Sequence, residues 1–183
     1  MHRMWLLVAL SLFLTLSIGA CAGNKNSAST VPGGGVSPVS GRTLPPEPDP
    51  AVNKATIAGV DSNNDGLRDD VERWLDEKYG GDKKKLSGVR KYARSAQRDI
   101  VEVDKITAET RSAYSKKGLK EGDCFIEFFG GTPRERESVR EQIIEQTFNT
   151  IDRIKIKRAS DKKFNGLMFG LSKAEENAAC TEE

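Results

Sequence analysis

Asp61, Asn63, Asp65, Leu67, Asp69 and Glu72 fall in one stretch, D-S-N-N-D-G-L-R-D-D-V-E, which sets oxygen donors at alternate positions and closes on a glutamate. Ca²⁺ takes roughly six to eight oxygens at about 2.3–2.6 Å, and a short loop supplies them only if alternate side chains face inward before a sharp turn. Gly66 stands at that turn, where a residue without Cβ is unstrained. In this arrangement Leu67 gives its backbone carbonyl, and Asp69 binds directly or through a water. Glu72 reaches back from the first turn of the following helix with both oxygens. The expected cofactor is Ca²⁺, since without a cation the carboxylates of Asp61, Asp65, Asp69 and Glu72 repel one another. The competing possibility is that the Asp and Asn residues only form Asx turns and cap a helix. The metal site is preferred because every ligand position carries an oxygen donor and the glycine is in place.

The spacing resembles the loop of an EF-hand, with two departures. Arg68 follows Leu67 where paired EF-hands carry an aliphatic residue that joins two loops, and no second loop occurs in the chain. The segment Val52 to Val60 is short and interrupted by Gly59, which argues against an entering helix. A lone, helix-exiting loop resembles the EF-hand-like repeats of secreted bacterial proteins. It implies a structural or weak site, with affinity of about 10⁻⁴–10⁻³ M.

The elements that must position this loop read as helices. Leu67, Val71, Trp74, Leu75 and Lys78 follow helical spacing, so a helix runs from the loop to Tyr79 and stops at Gly80-Gly81. Asp69 and Asp70 lie in its first turn, where the helix dipole favours negative charge. From near Asp82, Leu86, Val89, Ala93, Ala96, Ile100, Val103, Thr107, Thr110 and Tyr114 lay one stripe along a helix of about nine turns. That stripe is either a core seam or a coiled-coil seam for dimerisation. The core seam is preferred because Thr107 and Thr110 weaken the stripe and later segments need a surface to pack on. Lys116-Lys117-Gly118 predicts a break, followed by a short helix bearing Leu119, Cys124, Phe125, Ile126, Phe128 and Phe129. Thr132-Pro133-Arg134-Glu135 predicts a helix start with a capping box. Val139, Ile143, Phe148 and Ile151, with Ile144 and Ile154 flanking, predict the buried face of a helix reaching about Arg158. A final helix is expected around Leu167 to Ala179. No strand pattern is convincing, so the expected class is all-α, a small helical bundle.

Ahead of the bundle, residues 1–20 read as an export signal, with basic Arg3, an apolar run from Met4 to Leu16 and small residues to Ala20. Ile18-Gly19-Ala20-Cys21 resembles the lipobox of bacterial lipoproteins, in which the Cys21 thiol is lipidated and becomes the new N-terminus. An ordinary signal peptide or a short membrane anchor is the alternative; the apolar run is short for a span of about 20 residues. Ala22 resembles the sorting pattern for the outer membrane, facing the periplasm, in a Gram-negative host. Residues 21–50 hold six of the seven prolines among Ser, Gly and Asn, and read as a flexible tether. The folded domain is expected over 51–183.

The only histidine is His2, within the expected signal, which leaves no imidazole for nucleophilic dyads or acid–base catalysis and removes most zinc sites. No phosphate-binding glycine loop and no Cys-x-x-Cys is present, so no enzyme is expected. With Cys21 lipidated, Cys124 and Cys180 remain as an even pair in an oxidising compartment, and a disulfide is expected on that arithmetic, with two free thiols as the alternative. The formal net charge is +2. The basic runs Lys83-Lys84-Lys85 and Arg153, Lys155, Lys157, Arg158, Lys162, Lys163 read as solvated helix faces, and the interspersed acids argue against nucleic acid.

With the loop, the lipobox, the cysteine pair and Asn149-Thr150-Ile151-Asp152-Arg153, the chain resembles a group of small bacterial envelope and secreted proteins with a single Asp-x-Asn-x-Asp-Gly-x-Arg-Asp-Asp-x-Glu loop and a helical body. That resemblance implies calcium binding and an envelope location, and no activity. The expected function is a calcium-binding envelope lipoprotein that binds or scaffolds an envelope protein partner, monomeric rather than oligomeric. The alternative is a helical oligomer built on the Leu86 to Tyr114 seam, with the loop only a helix cap.

Overall fold

The computed structural model describes residues 38–183; the export signal, Cys21 and the first part of the tether lie outside the described residues. The chain is all-α, with no strand among the described residues. The bundle is built round α3, Lys83–Glu102, whose N-cap Asp82 accepts from the Lys85 amide. Its buried face carries Leu86, Val89, Ala93, Ala96 and Ile100 at helical spacing. Against it pack α2, Asp69–Tyr79; α4, Arg111–Phe129; α5, Pro133–Thr147; and α6, Ile151–Phe164. Two short helices, α1 at Pro50–Ala55 and α7 at Lys173–Asn177, complete the set.

The larger core cluster joins Leu67, Val71 and Leu75 to Leu86, Val89 and Ala93 of α3, Phe125 of α4, and Val139 and Ile143 of α5. Complete burial of each large apolar side chain here contributes about 1.5–3 kcal/mol. A smaller cluster of Ala96, Ile100 and Phe148 continues the seam. The α3 stripe is therefore covered from within the chain. Gly88 allows α4 its close approach, since a Cβ there would lie 3.0 Å from the Phe128 Cβ.

Four helix boundaries differ from those expected. The nine-turn helix is two: α3 ends at Glu102, passes through a 3₁₀ turn at Val103–Lys105, and α4 starts at Arg111. The intervening run is rich in β-branched residues, and Thr107 and Thr110 bond one another's backbone amides, which competes with helical pairing. Lys163 donates to the carbonyls of Val103 and Ile106 and so closes the end of α3. Lys116-Lys117-Gly118 does not break the chain; it lies inside α4, where Gly118 faces α3 at Ser95. The helix expected to reach Arg158 divides at Phe148, because Thr150 caps a new helix through the Arg153 amide; Ile151 and Ile154 are consequently exposed. The last helix shrinks to α7, preceded by Gly166 in the left-handed region.

Residues 38–48 lie against α2. Asp76, buried, accepts from the amides of Val39 and Ser40 and from the Ser40 hydroxyl, while Arg73 holds Glu47 at 2.6 Å and the Pro45 carbonyl at 2.9 Å. A disulfide joins Cys124 of α4 to Cys180, with a Cα–Cα distance of 5.5 Å.

Candidate metal site

The loop turns through Asn64 at φ 55° and Gly66 at φ 83°. Asp61 holds that turn from the front: its Oδ1 accepts from the Asp65 amide at 3.2 Å and its Oδ2 from the Gly66 amide at 2.9 Å. Asn63 Oδ1 accepts from the Asp65 amide, and its Nδ2 donates to Glu72 Oε2 at 3.0 Å. Asp65 Oδ1 accepts from the Leu67 amide at 2.9 Å. Leu67 itself is wholly buried and anchors the loop in the core. Asp69 and Glu72, in the first turn of α2, are each 1 % exposed. Asp69 Oδ1 accepts from the Ser62 amide at 2.9 Å, but its Oδ2 is buried with no partner. A buried carboxylate oxygen left without a hydrogen bond is costly, on the order of 1–3 kcal/mol or more.

Two arginines of α3 reach into the loop. Arg90, 1 % exposed, bridges Asp65 Oδ2 and Glu72 Oε1, each at 2.5 Å. Arg94 donates to Asp65 Oδ2 at 2.9 Å and to the Asp65 carbonyl at 2.8 Å. The structure thus links Asp61 with Asp65 through the Asp65 amide, Asn63 with Glu72 directly, and Asp65 with Glu72 through Arg90. Among the described residues no group of three or more His, Cys, Asp or Glu side chains converges closely enough to hold a metal ion. Of the four loop carboxylates, Asp65 and Glu72 pair with the two guanidinium groups, which are shared with Glu183, while Asp61 and Asp69 accept from backbone amides. Beside the loop, Asp61, Asp65 and Gly66 open on a cleft of about 320 Å³ that is also lined by Gln97, whose Oε1 is buried without a partner. The donor set, all oxygen with one orphaned carboxylate oxygen, fits a hard cation.

Behind the loop two further arginines are wholly buried. Arg68, expected to interrupt an EF-hand position, forms a bidentate pair with Asp70 and donates to the carbonyls of Gln146 and Thr147 at the end of α5. Arg153, expected on a solvated face, points inward instead: it donates to the carbonyls of Asn53, Thr56 and Ile57 and to Asn149 Oδ1. Burial, together with the nearby Arg68 charge, lowers its pKa to about 10. Gly59, at φ 77°, lies against the Arg68 and Arg153 side chains. The only hint of this in the sequence was Arg68 itself, a charge in an aliphatic position.

A second cluster went unread in the sequence. Asp99 of α3 accepts from the hydroxyls of Tyr114 and Ser160 at the side of a cavity of about 820 Å³ between α3, α4 and α6. Burial raises the Asp99 carboxyl above its ordinary range.

An all-α domain with an arginine-clamped acidic loop is the class these observations define. No protein-family model matches the chain, and no curated protein or solved structure matches it either.

Proposed function

We propose that this protein is a lipid-anchored calcium-binding module of the bacterial cell envelope, held at the membrane through Cys21 and acting by binding or scaffolding a protein partner rather than by catalysis. The observation that carries the calcium site is the partnerless Oδ2 of buried Asp69 within a loop whose carboxylates outnumber its cations. Asp61, Asn63, Asp65, Asp69, Glu72 and the Leu67 carbonyl would hold the ion through oxygen alone, the ligand type a hard cation takes. Asp61 and Asp65 fix the turn, Leu67 seats it in the core, and Glu72 ties it to α2. The ion therefore orders the junction between the N-terminal segment and the bundle. The envelope location rests on the apolar leader and the Ile-Gly-Ala-Cys sequence.

The test is calorimetric titration of the full chain in detergent with CaCl₂, with Asp65→Ala as control. Saturable binding near 10⁻⁴–10⁻³ M that is lost in the variant is the expected outcome. No heat up to millimolar Ca²⁺ would leave the loop as an arginine-clamped turn at the start of α2.

A further inference from the structure

We propose that Arg90 and Arg94 are the resident cations of the Asp61–Glu72 loop, which Ca²⁺ has to displace, and that Glu183 receives them when it does. This rests on the calcium reading above and adds what sets the affinity of the site. A glutamate closing such a loop serves the ion with both oxygens. Here Arg90 occupies Glu72 Oε1 and, with Arg94, Asp65 Oδ2. A guanidinium at hydrogen-bond distance from two ligand carboxylates opposes a second cation there, and strongly so in a buried setting where water screens little.

The same two arginines also lie beside a carboxylate outside the loop, which accepts from Arg94 and stands within ion-pair reach of Arg90. Glu183 pairs with Arg94 and with Lys91, and its carboxylate lies 3.6 Å from Arg90 Nε. Its amide donates to Ser87 Oγ of α3 at 3.1 Å, and the Cys124–Cys180 bridge ties the segment just before it to α4. Burial raises the Glu183 carboxyl, but the hydrogen bond and charge of Arg94 outweigh this and hold it below its ordinary range. Each arginine is thus shared between two carboxylate sets. An ion that takes one set drives the arginines toward the other, and by linkage a tighter arginine–Glu183 pair favours the ion.

The experiment is calorimetry with CaCl₂ on the full chain in detergent, comparing wild type with Arg94→Gln, Arg90→Met and Glu183→Gln, each checked for helix content by circular dichroism. Arg94 is partly exposed, so its variant keeps the test open where Arg90→Met fails to fold. The expected result is binding about tenfold tighter in Arg94→Gln, tighter still in a folded Arg90→Met, and about threefold weaker in Glu183→Gln. Calcium binding by wild type with equal or weaker binding by Arg94→Gln overturns the displacement while leaving the calcium site standing. Absence of binding in every folded variant overturns the calcium site and the displacement with it.

Discussion

Arg68 Nη1 donates to the Thr147 carbonyl at 3.0 Å, across 79 residues of sequence. Its Nη2 reaches the Gln146 carbonyl at 2.7 Å, and Asp70 grips the other edge of the guanidinium. A cation at a helix C-terminus meets both the unpaired carbonyls and the negative end of the dipole. The acidic loop and the α5–α6 junction are thereby one unit, and the loop's geometry depends on residues far from it in sequence.

Replacing Arg68 by Met is expected to cost about 3–5 kcal/mol, because it leaves Asp70 and two carbonyls without their buried partner. Arg68→Lys recovers only part of that, since an ammonium cannot reproduce the planar fork. Urea unfolding of the two variants beside wild type measures the difference; equal midpoints for Lys and Arg would contradict it.

Gly59→Ala is expected to destabilise by about 3 kcal/mol. The added Cβ would lie 2.2 Å from Arg68 Cδ and 2.8 Å from Arg153 Nη2, at a positive φ. Gly41 offers the control: its φ is also positive, yet nothing lies within 4 Å, so alanine there costs only the backbone strain, about 1–2 kcal/mol. Thermal melts of both variants separate collision from conformation.

Reduction of the Cys124–Cys180 bridge is expected to lower stability by about 2–4 kcal/mol. Urea midpoints with and without a thiol reductant read this directly. A Cys124→Ala/Cys180→Ala variant must match the reduced protein.

The folded state holds the Asp99 proton to a higher pH than the unfolded chain does, because burial raises its carboxyl above the ordinary 3.8. Between 3.8 and the raised value the native state binds more protons, so this group's contribution falls as pH rises and stays unfavourable above the window. Asp99→Asn keeps an acceptor for the Tyr114 hydroxyl and removes the charge. The melting temperature of the variant minus that of wild type should grow as pH rises through the window and then level; a difference independent of pH would refute this.

The parts of the fold legible in the sequence were those encoded locally. The capping box of α5 is present as expected, with the Thr132 hydroxyl accepting from the Glu135 amide and Glu135 answering. The end of α2 falls at Tyr79, and the α3 stripe from Leu86 to Ile100 is core. The break at Val103 was hidden because the stripe continues in register across it. Within the loop, Gly66 takes the expected positive φ, whereas the arginines that clamp Asp65 and Glu72 come from α3, 18 to 29 residues away. Periodicity assigns arginine to the surface. Nothing local distinguishes Arg153, which reaches Asn53 100 residues back, from the exposed lysines that follow it.

The disulfide also determines how the chain would respond to a pulling force. Cys124 and Cys180 are 56 residues apart in sequence, and α5, α6 and α7 all lie between them. Tension applied beyond both cysteines passes through the sulfur bridge and bypasses those helices, so roughly 190 Å of contour length cannot be drawn out while the bridge is closed. Under load the molecule would extend through the segments outside the bridged loop, and the arginine-clamped loop lies in one of them.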